Sequence, residues 1–170
     1  MLAVLVWTLG ATAQEKKLPM ILDIASVEQN DETVLDLFNM PDETGNHYFL
    51  CVGTLGFGDD VVQVLFDPVF RLFLPLGSTL DEVSEAIGTL QNLFKEEKNT
   101  AIEMPGCLAF GFPNEQLETV TITYRRPILT RYLEFSLQRE GYLRATHITR
   151  SDFNALASSL KFYRALHKNE

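Results

Sequence analysis

Three histidines, two cysteines and a cluster of arginines are the residues of this 170-residue chain whose types invite chemistry. His47, His147 and His167 are scattered, and none forms a metal-ligand motif with Cys, Asp or Glu. His147 falls in a strand-like stretch, on the face expected to meet helices, which suits a core imidazole bonded to backbone. Cys51 and Cys107 lie in apolar, strand-like runs, where a thiol behaves as a small hydrophobe. Two buried thiols are therefore expected rather than a disulfide framework. Gly53-x-x-Gly56-x-Gly58 has the glycine density of a phosphate cradle. No Lys and no helical pattern follow it, and Asp59-Asp60 would repel phosphate, so it reads as an inter-strand loop.

Neither a Gly-x-Ser-x-Gly elbow nor a His-Glu-x-x-His motif occurs. No catalytic residue, metal ligand or cofactor is thus implied. An enzyme would have to assemble its site in space, and a hydrolase or isomerase around Tyr124, Arg126 and His147 is the rival reading on those grounds. The densest polar cluster is Tyr124-Arg125-Arg126-Pro127. Arg125, Arg126 and Arg131 make a candidate anion or carboxylate contact, since guanidinium forks suit that geometry. Solvated charge at a strand end is the simpler account of them.

The net charge is −9, which argues against non-specific binding to nucleic acid or to anionic membranes. Its distribution is uneven. Residues 14–99 carry five basic against sixteen acidic residues, whereas residues 100–170 carry nine against seven. With 46% hydrophobic and 22% charged residues the chain has a globular composition.

Met1–Leu9 is apolar apart from Thr8, and Ala11-Thr12-Ala13 supplies small residues at a cleavage site. Residues 1–13 read as a secretory signal peptide cut before Gln14, although no Lys or Arg precedes the apolar run. An exported product is expected, periplasmic or extracellular in a Gram-negative cell. No stretch reaches the roughly 20 apolar residues that span a bilayer, so membrane insertion is not expected.

The elements that must position these residues follow from periodicity. Asp31–Asn39, His47–Thr54, Val61–Phe66 and Phe70–Leu76 read as strands. A helix follows, capped by Ser78, because Leu80, Val83, Ile87, Leu90 and Phe94 recur at spacings of three and four. The order then repeats. Cys107–Phe112, Glu118–Arg125, Arg131–Gln138 and Tyr142–Thr149 read as strands. Ser151 caps a helix with the stripe Phe153, Leu156, Leu160, Tyr163 and Leu166. An offset of 73 aligns the two patterns, placing Leu72 on Ala145 and Leu74 on His147.

The expected fold is α+β: one domain over residues 14–170, made of two tandem β4α units (about 31–99 and 100–170). An antiparallel sheet would carry two helices on one face, with pseudo-two-fold duplication. In topology alone this layout resembles the tandem-repeat β-lactamase inhibitor proteins and the TATA-binding-protein fold, with no motif of either.

A sheet covered by helices on one side should be polar on the other. The second half meets this with Glu134, Ser136, Gln138, Arg144 and Thr146. The first half places Tyr48, Leu50, Val52, Val61, Leu65 and Phe73 there instead. Those six are the candidate binding residues, for a protein or small apolar ligand. The leading expectation is an exported, non-enzymatic binding module; a homodimer formed through the same face is a further alternative.

Overall fold

The computed structural model describes residues 20–29, 32–53, 71–110, 116–139 and 142–167. The expected signal peptide (residues 1–13), most of the glycine-rich loop, and the expected strand Val61–Phe66 with Val61 and Leu65 lie outside the described residues. Among the described residues there are eight strands: β1 (Leu22–Gln29), β2 (Glu32–Asn39), β3 (Tyr48–Gly53), β4 (Arg71–Gly77), β5 (Ala101–Phe110), β6 (Leu117–Arg125), β7 (Tyr132–Arg139) and β8 (Tyr142–Thr149). Helix α1 (Leu80–Leu93) follows β4 and α2 (Arg150–Leu166) follows β8. All eight strands join one antiparallel sheet in chain order. The fold is α+β; among the described residues β1 to β4 precede α1 and β5 to β8 precede α2.

Helix α1 begins one residue later than expected. Thr79 is the N-cap, accepting from the Glu82 N–H, while the Glu82 carboxylate accepts from the backbone N–H groups of Thr79 at 3.0 Å and Ser78 at 2.7 Å. Helix α2 is capped by Thr149, not Ser151. Val83, Ile87, Leu90 and Leu93 of α1 are buried, as are Phe153, Leu156, Ala157 and Leu160 of α2. The second stripe stops there, for Tyr163 stacks on His167 and Leu166 is exposed. Gln91 reaches Asn154, and Arg164 near the end of α2 pairs with Asp81 at the start of α1, so the helices run antiparallel.

Pairing register assigns the faces. Leu50 lies between Leu37 and Leu74, and Val52 between Leu35 and Leu72. These residues share one buried cluster with Val83, Ile87 and Leu90, so their side of the sheet faces the helices. The alternate set is Phe38, Phe49, Cys51, Phe73 and Leu108, matched through Phe38–Phe49, Cys51–Phe73 and Phe73–Leu108 pairs. Phe38 and Cys51 are buried yet stand outside the helix-facing cluster. They belong to the outer face.

In the second half Ile122, Phe135 and Ile148 face the helices, while Glu134, Ser136 and Gln138 face outward. The offset of 73 misplaces β8. Ala145 and His147 pair with Ser136 and Glu134 on the outer face, and Thr146 is the buried one. Arg144 stands opposite Leu137 in the register.

Strand β1 was not foreseen. Its alternation is broken by irregularities between Asp23 and Ala25 and between Val27 and Glu28, so consecutive Ile24 and Ala25 both pack on the core. Helix α2 packs on β1 and β2 as well as β8, and Thr146 Oγ1 of β8 donates to the Gly53 carbonyl of β3 at 3.2 Å. The sheet therefore curls around its helix-facing side. Twist of this kind accumulates in every large antiparallel sheet.

Candidate functional site

The outer face of β2, β3, β4 and β5 carries an apolar groove of about 520 Å³. Its floor is aromatic. The Phe38 ring stacks on Phe49 with centroids 5.9 Å apart and meets Phe73 edge-on at 6.0 Å. Leu108 closes one side through its pairing with Phe73, and Met40 follows directly after β2. At the opposite end stand Asp42 and His47, on the turn that joins β2 to β3.

That turn is locked by polar bonds. Asp42 Oδ1 accepts from the Thr44 N–H and hydroxyl, each at 2.6 Å, and contacts His47 Nε2 at 3.1 Å. Gly45 adopts φ 134°, which the tight Asp42–Gly45 bridge requires. Buried Asn39 receives the His47 N–H and bonds Asn46, anchoring the turn to β2. The bonds from Thr44 lower the Asp42 pKa from 3.8 to about 2.

Asp42, Thr44 and His47 contain the residue types of a nucleophile relay, but not its geometry. Thr44 Oγ1 and Asp42 Oδ1 both address Nε2 of the ring. A relay needs the hydroxyl on one ring nitrogen and the carboxylate on the other, so that one proton can pass between them. Here the two oxygens share a single nitrogen, and the cluster holds the turn's shape.

Of the six sequence-predicted binding residues, Phe73 lies in the groove. Tyr48, Leu50 and Val52 do not: they belong to the helix-facing core, and Phe49 and Cys51 take the outer positions of β3. Val61 and Leu65 fall outside the described residues. Phe38, Phe49 and Leu108 were missed, although the alternation of Phe38 with Leu37 and of Phe49 with Leu50 was the signal. Asp36, on the outer face opposite Cys51, is held above the usual carboxylate range by burial, with Asp23 adding and Arg71 opposing. Burial raises the thiols of Cys51 and Cys107 to about 11. Cys51 stands on the outer face and Cys107 in the helix-facing core, so the sheet separates them.

Tyr124, Arg126 and His147 do not converge. Tyr124 is buried on the helix side, edge-on to Phe94 at 5.8 Å. His147 stands on the other face beside Tyr132, its pKa lowered by burial, and Arg126 is exposed beyond the end of β6. Arg125 is already engaged, binding Glu134 through Nε at 3.1 Å and Nη2 at 2.8 Å and Asn99 through Nη1 at 2.9 Å. Arg126 and Arg131 are exposed and flank the β6–β7 loop.

A larger cleft of about 730 Å³ lies where the start of α1 meets the end of α2. Within it Arg164 pairs with Asp81 and donates to Ser84 Oγ at 2.7 Å, and His167 bonds the Tyr163 carbonyl at 2.9 Å. The outer groove differs in that most of its lining is apolar. Among the described residues no three His, Cys, Asp or Glu side chains gather as a metal site, and no helix is long and apolar enough to cross a membrane. Compared with known proteins, the chain matches no family model, no curated protein and no solved structure.

Proposed function

We propose that this chain is an exported, non-enzymatic binding module that receives a small apolar ligand, or an apolar side chain of a protein partner, in its outer-face groove. The observation that carries this reading is the aromatic floor of Phe38, Phe49 and Phe73 on the sheet face opposite the helices. Among the described residues no helix covers this face, and the partly exposed rings of Phe49 and Phe73 are apolar surface that a bound apolar group would bury further. The groove's volume of about 520 Å³ suits a small molecule. Asp42 and His47 at one end supply the few polar groups that would orient such a ligand.

The test uses Nile red, a neutral apolar dye, as a probe of the groove. Wild type should take it up saturably, and Phe73→Glu should weaken uptake at least about tenfold while the protein still melts cooperatively, because an unpaired carboxylate would have to be desolvated by the dye. Equal uptake by both proteins, or none by wild type, overturns the ligand reading. Sedimentation velocity run in parallel separates the homodimer alternative. A wild-type dimer that Phe73→Glu makes monomeric, with dye uptake unaltered, would assign the face to self-association.

A further inference from the structure

The β6–β7 loop carries two large apolar side chains entirely in water. Ile128 is 100% and Leu129 94% exposed, directly after Pro127, which fixes the backbone as the chain leaves β6. Among the described residues nothing packs on them: the loop is closed below by the Arg125–Tyr132 pair, and the core begins at Tyr124 and Leu133. Arg126 precedes the apolar pair and Arg131 follows it, both exposed. The Arg150 N–H donates to the Arg131 carbonyl at 3.1 Å, which brings a third exposed arginine and the N-terminus of α2 to the base of the loop.

Charges at this end do not cancel. Glu134 is engaged by Arg125, and Asp152 is bonded within the first turn of α2. Arg126, Arg131 and Arg150 make no ion pair among the described residues. The acidic side chains of the first half give the chain its net charge of −9. At physiological ionic strength screening acts over roughly 8 Å, so an approaching surface meets the local charge of this loop rather than the whole-chain total.

We propose that the β6–β7 loop is a docking tip for an anionic phospholipid surface. Ile128 and Leu129 enter the interfacial layer, and Arg126, Arg131 and Arg150 bind lipid phosphates. The arrangement of apolar tip and basic collar matches the two layers of a bilayer surface, acyl chains below and phosphates above. A stable protein interface needs about 800 Å² from each partner, which a two-residue projection does not supply. A fluid bilayer accepts a projecting tip without a shaped pocket. Docking of this kind needs no spanning helix and is independent of the outer-face groove.

Co-sedimentation of the full chain with phosphatidylcholine vesicles, with and without one-third phosphatidylglycerol, tests the proposal. Wild type should sediment with the anionic vesicles and stay in solution with the neutral ones. Ile128→Ser with Leu129→Ser should lower partitioning at least about tenfold. Arg126→Gln with Arg131→Gln should lower it about fivefold per arginine, and added salt should do the same. All four positions are exposed, so the melting temperature of each double variant should equal that of wild type. Failure of wild type to sediment with anionic vesicles overturns the proposal, as does undiminished sedimentation of either double variant. If vesicle binding is absent but wild type self-associates in sedimentation velocity and the Ser double variant does not, the loop is a protein contact and the membrane assignment falls.

Discussion

Leu50→Ala and Phe49→Ala, made separately, test the assignment of β3's two faces. Leu50 is fully buried between Leu37 and Leu74, in one cluster with the buried stripe of α1. Removing its isobutyl group leaves a cavity walled by two hydrogen-bonded strands that cannot close in. The cost should therefore fall in the upper part of the usual range of about 2–5 kcal/mol. For a chain of this size that lowers the melting temperature by about 7–20 °C. Phe49 is half-buried and loses its stacking on Phe38 and part of its apolar contact, about 1–2 kcal/mol in all. Urea denaturation followed by circular dichroism measures both, with an unchanged m-value confirming that the midpoints report stability. Function should divide the other way: Leu50→Ala keeps Nile red uptake below its melting temperature, and Phe49→Ala loses it. A smaller stability loss for Leu50→Ala than for Phe49→Ala would show that the strand is turned over, and with it the groove.

The Asp42 carboxyl should titrate near pH 2 by NMR, and in Thr44→Val its midpoint should rise toward 3.8 because the donated hydroxyl is gone. The depressed value means that this turn's contribution to stability is present above the unfolded value of 3.8 and is lost as pH falls toward 2, not on the alkaline side. Expressed with its native N-terminus in a Gram-negative host, the chain should leave the cytoplasm with Gln14 as its first residue; a cytoplasmic product that retains Met1–Ala13 would end the export reading.

Local periodicity carried much of the fold. The stripe of Val83, Ile87 and Leu90 requires a helix with one buried face wherever it packs, and the alternation of Val120, Ile122 and Tyr124 requires a half-buried strand. Both are properties of neighbouring residues. Helix starts were legible only to within a residue or two, because Ser78 and Ser151 compete with Thr79 and Thr149 as caps. Backbone geometry at the strand exit selects between them.

Strand β3 shows where local reading ends. Tyr48, Leu50 and Val52 alternate with Phe49 and Cys51, and both sets are apolar, so alternation separates them without saying which meets the helices. Cross-strand partners decide it. Leu50 stands opposite Leu74, and a shift of one residue would have exchanged the faces. The same ambiguity hid Phe38 and Phe49 from the candidate site, whereas the offset of 73 put Ala145 and His147 on the wrong side of β8. Strand β1 was illegible because two irregularities break its period. Its cover by α2 unites segments more than a hundred residues apart, and no window of sequence contains that contact. The exposure of Ile128 and Leu129 is likewise a tertiary fact. Sequence alone does not place these two side chains, and only the packing of the described elements around the core leaves them exposed.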